Sequence, residues 1–253
     1  MTANQPVLDI EHLSLQIGGA RILEDVTLQV AEGEMLGVIG PNGAGKTTLF
    51  NLVSGVIAPT SGTIRLAGRD VTNEQIHRRA RAGLGRTFQT SSLFNGLSAL
   101  ENVRLAAQVE LGGSLSIVRF PHARDRATAI ARERLDEVGL GHHADTDAGV
   151  LSHGDKRKLE IAMLLAADPT VILLDEPMAG VASGDVPGLV EVIRGLHKEA
   201  GRTVLMVEHH IDVVLGLVDR VAVMHHGQLL ADGTPDEVMA NPAVQGAYLG
   251  DAA

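Results

Sequence analysis

No cysteine occurs in the 253 residues of the chain, so disulfides, thiolate metal sites and cysteine nucleophiles are excluded. Tryptophan is absent too, and one tyrosine and four phenylalanines make up the aromatic complement apart from histidine, so any core must be aliphatic. Lysine occurs only at positions 46, 156, 158 and 198, and the formal net charge is −10. That balance argues against nucleic acid or an anionic membrane as the main contact surface. It leaves room for a local anion site. No run reaches the roughly 18 apolar residues of a membrane span; the longest candidate, 161–174, is broken by Asp168-Pro169. The first nine residues lack a basic segment followed by an apolar one, so no secretory signal is read there. The expectation is a cytosolic protein, or one held at a membrane only through a partner.

With 45% hydrophobic residues, the chain can bury one large α/β domain, or such a domain with a small subdomain. Residues 7–17 and 21–30 alternate apolar and polar around Gly18-Gly19, which predicts an antiparallel pair with one solvated face. Met35-Leu36-Gly37-Val38-Ile39 predicts a buried strand, and 48–53 carries the apolar stripe of a helix. A strand over 63–66, a short helix within 73–82 and a strand over 84–88 follow. The four basic residues of that short helix, His77, Arg78, Arg79 and Arg81, read as a solvated face. Helices are expected over 98–111 and 124–138, the second with Ala127, Ala131, Leu135 and Val138 on one side, and a loop over 112–121. The region from about 90 to 150 thus reads as a helical block within a strand-rich chain. Beyond it the pattern predicts helices over 155–167, 186–199 and 211–217, strands over 171–175 and 204–208, two strands around Gly227, and a last helix from about Pro235. Such alternation implies a mainly parallel sheet.

Gly40-Pro41-Asn42-Gly43-Ala44-Gly45-Lys46-Thr47-Thr48 reads G-x-x-x-x-G-K-T between a predicted strand and a predicted helix, the context that makes this pattern a phosphate site. Its glycines let successive N–H groups converge on one anion, and the helix dipole adds to that field. Lys46 would reach the outer phosphates and Thr47 would offer its hydroxyl to Mg²⁺. Val171-Ile172-Leu173-Leu174-Asp175-Glu176 is an apolar strand ending in two carboxylates. Asp175 is placed to face Mg²⁺, and Glu176 to take a proton from an attacking water. Leu151-Ser152-His153-Gly154-Asp155 sits where a loop enters a helix and offers a second anion site through its N–H groups and the Ser152 hydroxyl.

The order of these motifs, with Gln89 after one strand and His209 after another, resembles the ATP-binding cassette (ABC) ATPases over essentially the whole chain. Gly85-Arg86-Thr87-Phe88-Gln89, Leu159-Glu160-Ile161-Ala162, Glu176-Pro177-Met178-Ala179-Gly180 and the tail from Asn241-Pro242 to Leu249-Gly250 are similar to the ATPase subunits of branched-chain amino-acid importers. The Leu-Ser-His-Gly form also resembles the related urea and amide importers. The resemblance implies a P-loop NTPase of the α/β class, a single ABC domain over 1–253 with an antiparallel β subdomain and a helical subdomain at about 90–150. Its cofactors would be ATP and Mg²⁺. Two cassettes, alike or different, would face head to tail, each ATP held between the P-loop of one and Leu151–Asp155 of the other. Glu176 would be the general base, His209 would contact the γ-phosphate and the water, and Gln89 would touch Mg²⁺ while its loop meets a permease. The partners implied are integral-membrane permease subunits and, indirectly, a solute-binding protein, with no nucleic acid, at the cytoplasmic face of the cell membrane.

A soluble ABC ATPase acting as an assembly factor, of the iron–sulfur scaffold type, is the alternative; 85–89 and the tail argue against it. A GTP switch would need an Asn/Thr-Lys-x-Asp motif that none of the four lysines provides, and a P-loop kinase would lack 151–155. Three positions depart from the family pattern: His153 replaces the signature's second glycine, Ala182 replaces an Asp or Asn that communicates between subunits, and Ile17 stands where an aromatic residue usually stacks on adenine. If Ile17 meets the base through apolar contact alone, Ile17→Tyr should tighten ATP binding by about 0.5–1.5 kcal/mol. Equilibrium titration with ATP checks this, and unchanged or weaker binding would place the base elsewhere.

Overall fold

Alternating residues at the start of the chain form strands β1 (Leu8–Ile17) and β2 (Ala20–Val30). They pair antiparallel from Leu8↔Val30 to Ile17↔Ala20 across the Gly18-Gly19 turn, where both glycines take positive φ. This is a computed structural model, and it describes residues 6–87, 93–111, 126–198 and 200–250. The five-residue β3 (Met35–Ile39) is buried at every position and leads into α1 (Lys46–Ser54). Next come β4 (Ser61–Leu66), β5 (Arg69–Asp70), α2 (Ile76–Arg81) and β6 (Leu84–Arg86). Helices α3 (Ala99–Glu110), α4 (Arg126–Glu137) and α5 (His153–Leu165) precede β7 (Val171–Asp175) and α6 (Val186–Lys198). The chain continues through β8 (Thr203–Val207), α7 (Ile211–Leu215), β9 (Arg220–His225), β10 (Gln228–Gly233), α8 (Pro235–Ala240) and α9 (Pro242–Gly250).

Two compact units result. One comprises Met1–Arg86, Thr170–Glu176 and Leu196–Ala253, the other Thr87–Pro169 and Pro177–Gly195. The first unit holds an antiparallel sheet in the order β2-β1-β4-β5 and a six-stranded sheet in the order β10-β9-β3-β8-β7-β6. In the larger sheet β3 runs parallel to β8 and β9, and β7 parallel to β8 and β6; only β10 is antiparallel, to β9. Strands β3, β7 and β8 are continuous apolar runs because helices cover such sheets on both faces. Their register, Val38↔Val207 and Asp175↔Val207, brings the ends of β3, β8 and β7 to one edge. Loops that carry function gather at that carboxyl edge. The core of this unit is aliphatic around Phe50, as the composition requires.

The second unit is helical. Ser98 caps α3 by accepting the Glu101 N–H. The buried Asn102 side chain accepts the Phe94 N–H at 2.8 Å and donates to the carbonyls of Phe94, Leu97 and Ser98. Ala127, Ala131, Leu135 and Val138 are all buried, matching the stripe read for α4. The loop expected over 112–121 lies outside the described residues.

The short basic helix departs from expectation. His77, Arg78 and Arg81 are exposed, but Arg79 is only 1% exposed. Its guanidinium donates to the carbonyls of Leu52 and Val53 at 2.6 and 2.8 Å, of Thr72 at 2.7 Å and of Glu74 at 2.9 Å. Two of these acceptors are last-turn carbonyls of α1, the groups a helix leaves unpaired. Burial lowers the Arg79 pKa, opposed by Glu74 and Asp70, yet a guanidinium stays charged at any physiological pH. Gly55, at φ 78°, ends α1 beneath it; a Cβ there would lie 2.8 Å from Arg79 Nε. Arg79→Leu would remove the guanidinium from four carbonyls, of which Leu52 keeps the Gly55 N–H, and should cost about 3 kcal/mol or more. Urea unfolding measures the loss; an unchanged midpoint would contradict this role.

Candidate nucleotide site

The glycine-rich loop starts where β3 ends. Gly40 has φ 149°, Gly43 79° and Gly45 102°. At Gly40 a side chain is impossible, since a Cβ would stand 2.1 Å from the Met224 carbonyl oxygen of β9. The β9–β10 turn holds the loop from behind: Gly227 N–H donates to the Ala44 carbonyl at 3.0 Å, and Glu24 N–H donates to Gly227 at 2.9 Å. Helix α1 has no side-chain cap at its N-terminus, so the N–H groups of its first turn remain available to an anion. Lys46 is 5% exposed and donates to the Gly40 and Pro41 carbonyls at 2.6 and 2.9 Å. Burial lowers its pKa, and the Glu176 carboxylate opposes that shift. Thr47 and Thr48 follow, half-buried, while Asn42 and Gly43 are exposed at the tip.

At the end of β7, Asp175 is 2% exposed and pairs with Arg86 Nη2 at 2.6 Å. Arg86 Nη1 reaches across to α1, donating to Asn51 Oδ1 at 2.8 Å and Ser54 Oγ at 2.6 Å. Glu176 turns out of the strand at φ 49°, with its N–H on the Val207 carbonyl at 2.9 Å. Its Oε1 lies 2.9 Å from His209 Nε2. The buried Glu208 anchors that histidine from below, Oε2 accepting the His209 N–H at 2.9 Å and standing 3.2 Å from His210 Nδ1. Lys46, Asp175, Glu176 and His209 thus belong to one edge of one sheet. Ile17, 58% exposed, ends β1 in the same unit. Gln89 lies outside the described residues. The pattern reading missed Glu208 and the reach of Arg86; an acid directly after an apolar strand was the one signal for Glu208.

Leu151–Asp155 belongs to the second unit. Here α5 begins at His153, two residues before the expected start. The reason is Ser152, whose Oγ caps the helix by accepting the Asp155 N–H at 3.1 Å and donating to Asp155 Oδ2 at 2.9 Å. Leu151 and Gly154 are buried, and a Cβ on Gly154 would come 2.6 Å from Asp185 Cβ. His153 is exposed. The Ala182 carbonyl accepts from Asp185 and Val186 N–H, so at this position the backbone secures the start of α6.

A glycine cradle, a buried lysine and a strand-end Asp-Glu pair define a P-loop nucleotide-binding protein. Residues 23–179 match the ABC transporter family model, and the chain belongs to that family as an ATP-binding cassette. Residues 228–253 match the model of the branched-chain amino acid ATP-binding cassette transporter. The chain is 39% identical to the high-affinity branched-chain amino acid transport ATP-binding protein LivG of Salmonella typhimurium, over 98% of this chain and 100% of that protein. It is 38% identical to the corresponding BraF protein of Pseudomonas aeruginosa, with the same coverage. The crystal structure of the ADP conformation of an ATP-binding cassette of an ABC transporter is similar with a TM-score of 0.85 at 30% identity, over 97% of this chain and 99% of that one. A dimeric cassette bound to ADP and phosphate is similar with a TM-score of 0.73 at 25% identity, covering 90% and 98%. The family and the α/β P-loop fold read from the motif order are therefore correct. Among the described residues no helix is long and apolar enough to cross a membrane.

Proposed function

We propose that this chain is the ATP-hydrolysing subunit of an importer for branched-chain amino acids, acting through a separate permease. The hydrolytic half of the reading is carried by the Glu176–His209 pair at 2.9 Å on the edge that bears Lys46. The solute class rests on full-length similarity to LivG and BraF and on the tail, 228–253.

The residues fit ATP and a magnesium ion. The tight turn at Gly40, where a Cβ would strike the Met224 carbonyl, and the uncapped start of α1 suit a phosphate chain. Lys46 donates to the Gly40 and Pro41 carbonyls, and phosphate oxygens would outbid them for its charge. Thr47, Gln89 and Asp175 would hold the metal. Magnesium, when bound, would offset phosphate charge. Ile17 would meet the base. His209 orients the Glu176 carboxylate and faces the γ-phosphate. Glu176 takes a proton from water as the water oxygen bonds to the γ-phosphorus and the bond to ADP breaks, leaving ADP and phosphate.

Leu151, Ser152, His153, Gly154 and Asp155 would close on the ATP of a second cassette, alike or different. The Ser152 hydroxyl can turn its proton from Asp155 to that phosphate while still accepting the Asp155 N–H. In the single ABC domain, about 90–150 is the helical subdomain that meets permease subunits at the cytoplasmic face of the cell membrane, with a solute-binding protein as indirect partner. Asn95 and Leu97 carbonyls accept from Gly149 and Ala148 N–H. This brings exposed Phe94, Leu97 and Val150 onto neighbouring segments.

Glu176→Gln keeps the hydrogen bond and removes the proton acceptor. ATP should bind as before while hydrolysis falls by about 10²-fold or more; near-normal turnover on a preparation that binds ATP would remove Glu176 from this role. Phe94→Ala leaves the main-chain bonds to Asn102 in place and deletes an apolar anchor of the kind interfaces centre on. Basal turnover of the isolated chain should stay within about twofold while co-purification with the permease and solute uptake fall by about tenfold or more. Normal assembly and uptake would contradict that docking surface.

A further inference from the structure

Arg86 lies outside the groups assigned above to phosphate, water or metal, yet it spans two of the elements that carry them. In the parallel register Arg86 stands opposite Leu173, so its side chain shares a sheet face with Leu173 and, two residues on, Asp175. Helix α1 covers that face. The guanidinium uses one nitrogen for each side: Nη2 on Asp175 Oδ2 at 2.6 Å, Nη1 on Asn51 and Ser54 of α1 at 2.8 and 2.6 Å. Ser54 passes its own proton to the Phe50 carbonyl at 2.7 Å, which leaves its lone pairs for Arg86. The Phe50 ring lies 6.0 Å below the guanidinium carbon. The side chains of Arg86 and Asp175 are 7% and 1% exposed.

We propose that Arg86 is a positioning residue that sets the spacing between Asp175 and Thr47, two of the side chains read as holding the metal. Asn51 is one helical turn beyond Thr47, on the same face of α1. A planar fork that grips Asn51 with one nitrogen and Asp175 with the other therefore gauges the distance from α1 to the end of β7. Lysine supplies charge but a single nitrogen, and cannot hold both ends at this geometry. The proposal rests on the reading of Thr47 and Asp175 as the metal pair. A merely structural Arg86 would hold β6 to β7 without tuning the metal.

Manganese serves as the probe. Free Mn²⁺ is counted by its electron paramagnetic resonance signal during titration of the protein–ATP complex, and nucleotide affinity is measured separately in EDTA. Arg86→Lys should weaken Mn²⁺ by about tenfold, the usual cost of losing a partner of a metal ligand, with metal-free ATP affinity within about twofold of the unaltered chain. A change confined to stability lowers the number of folded sites and does not shift the affinity of those that remain. Mn²⁺ affinity unchanged in Arg86→Lys would overturn the proposal. Should that variant fail to fold, Asn51→Ala removes one arm of the brace and leaves the ion pair: about threefold weaker Mn²⁺ supports the brace, and unchanged affinity sinks it. Asp175→Asn is the control. If it leaves Mn²⁺ binding intact, the metal reading itself fails and the brace with it.

Discussion

The nucleotide site depends on a backbone contact that no side chain can share. Gly40 leaves β3 against the Met224 carbonyl with room for a hydrogen and nothing more. This proximity lets the loop turn at once and aim its N–H groups at a single point. Ala44, tied to the β9–β10 turn through Gly227, fixes the other end of the loop. A chain of net charge −10 thereby concentrates positive potential where an anion must sit, from backbone dipoles and one buried lysine. Distant acidic residues matter little there, because exposed charges are screened within about 8–10 Å.

Arginine does in this protein what aromatic residues do in others. Among the described residues Phe50 is the one fully buried aromatic, and shape-defining contacts at α1 come from forked cations. Arg79 closes its C-terminal carbonyls, and Arg86 braces its buried face to β7. Both guanidiniums are enclosed and donate to several oxygen acceptors, the condition under which a buried charge is tolerated. The helix that presents Lys46 and Thr47 is therefore fixed at its far end by electrostatics as well as by packing.

Much of this was legible in the sequence because it is local. Strands β3, β7 and β8 are unbroken apolar runs, the P-loop is a contiguous motif, and Asp175-Glu176 follows its strand directly. What escaped was the tertiary destination of polar groups. Arg79 sits among exposed basic neighbours, and nothing in its own helix reveals the carbonyls of α1, more than twenty residues earlier. The start of α5 moved because Ser152 and Asp155 close a cap, a spacing that can be read but competes with many Ser-x-x-Asp coincidences. His209 was singled out only by its place after a strand; its geometric partner is Glu176. Gln89 and the loop at 112–121 lie outside the described residues.

The central claim is that this site drives a permease that imports branched-chain amino acids. Its most direct test is uptake of labelled leucine, isoleucine and valine into vesicles that hold the cognate permease and solute-binding protein, with ATP on the side of this chain. The account predicts uptake that requires both the chain and ATP, and that cold leucine, isoleucine or valine displaces. Steady ATP hydrolysis by the assembled complex with no ATP-dependent accumulation of any of the three would contradict it.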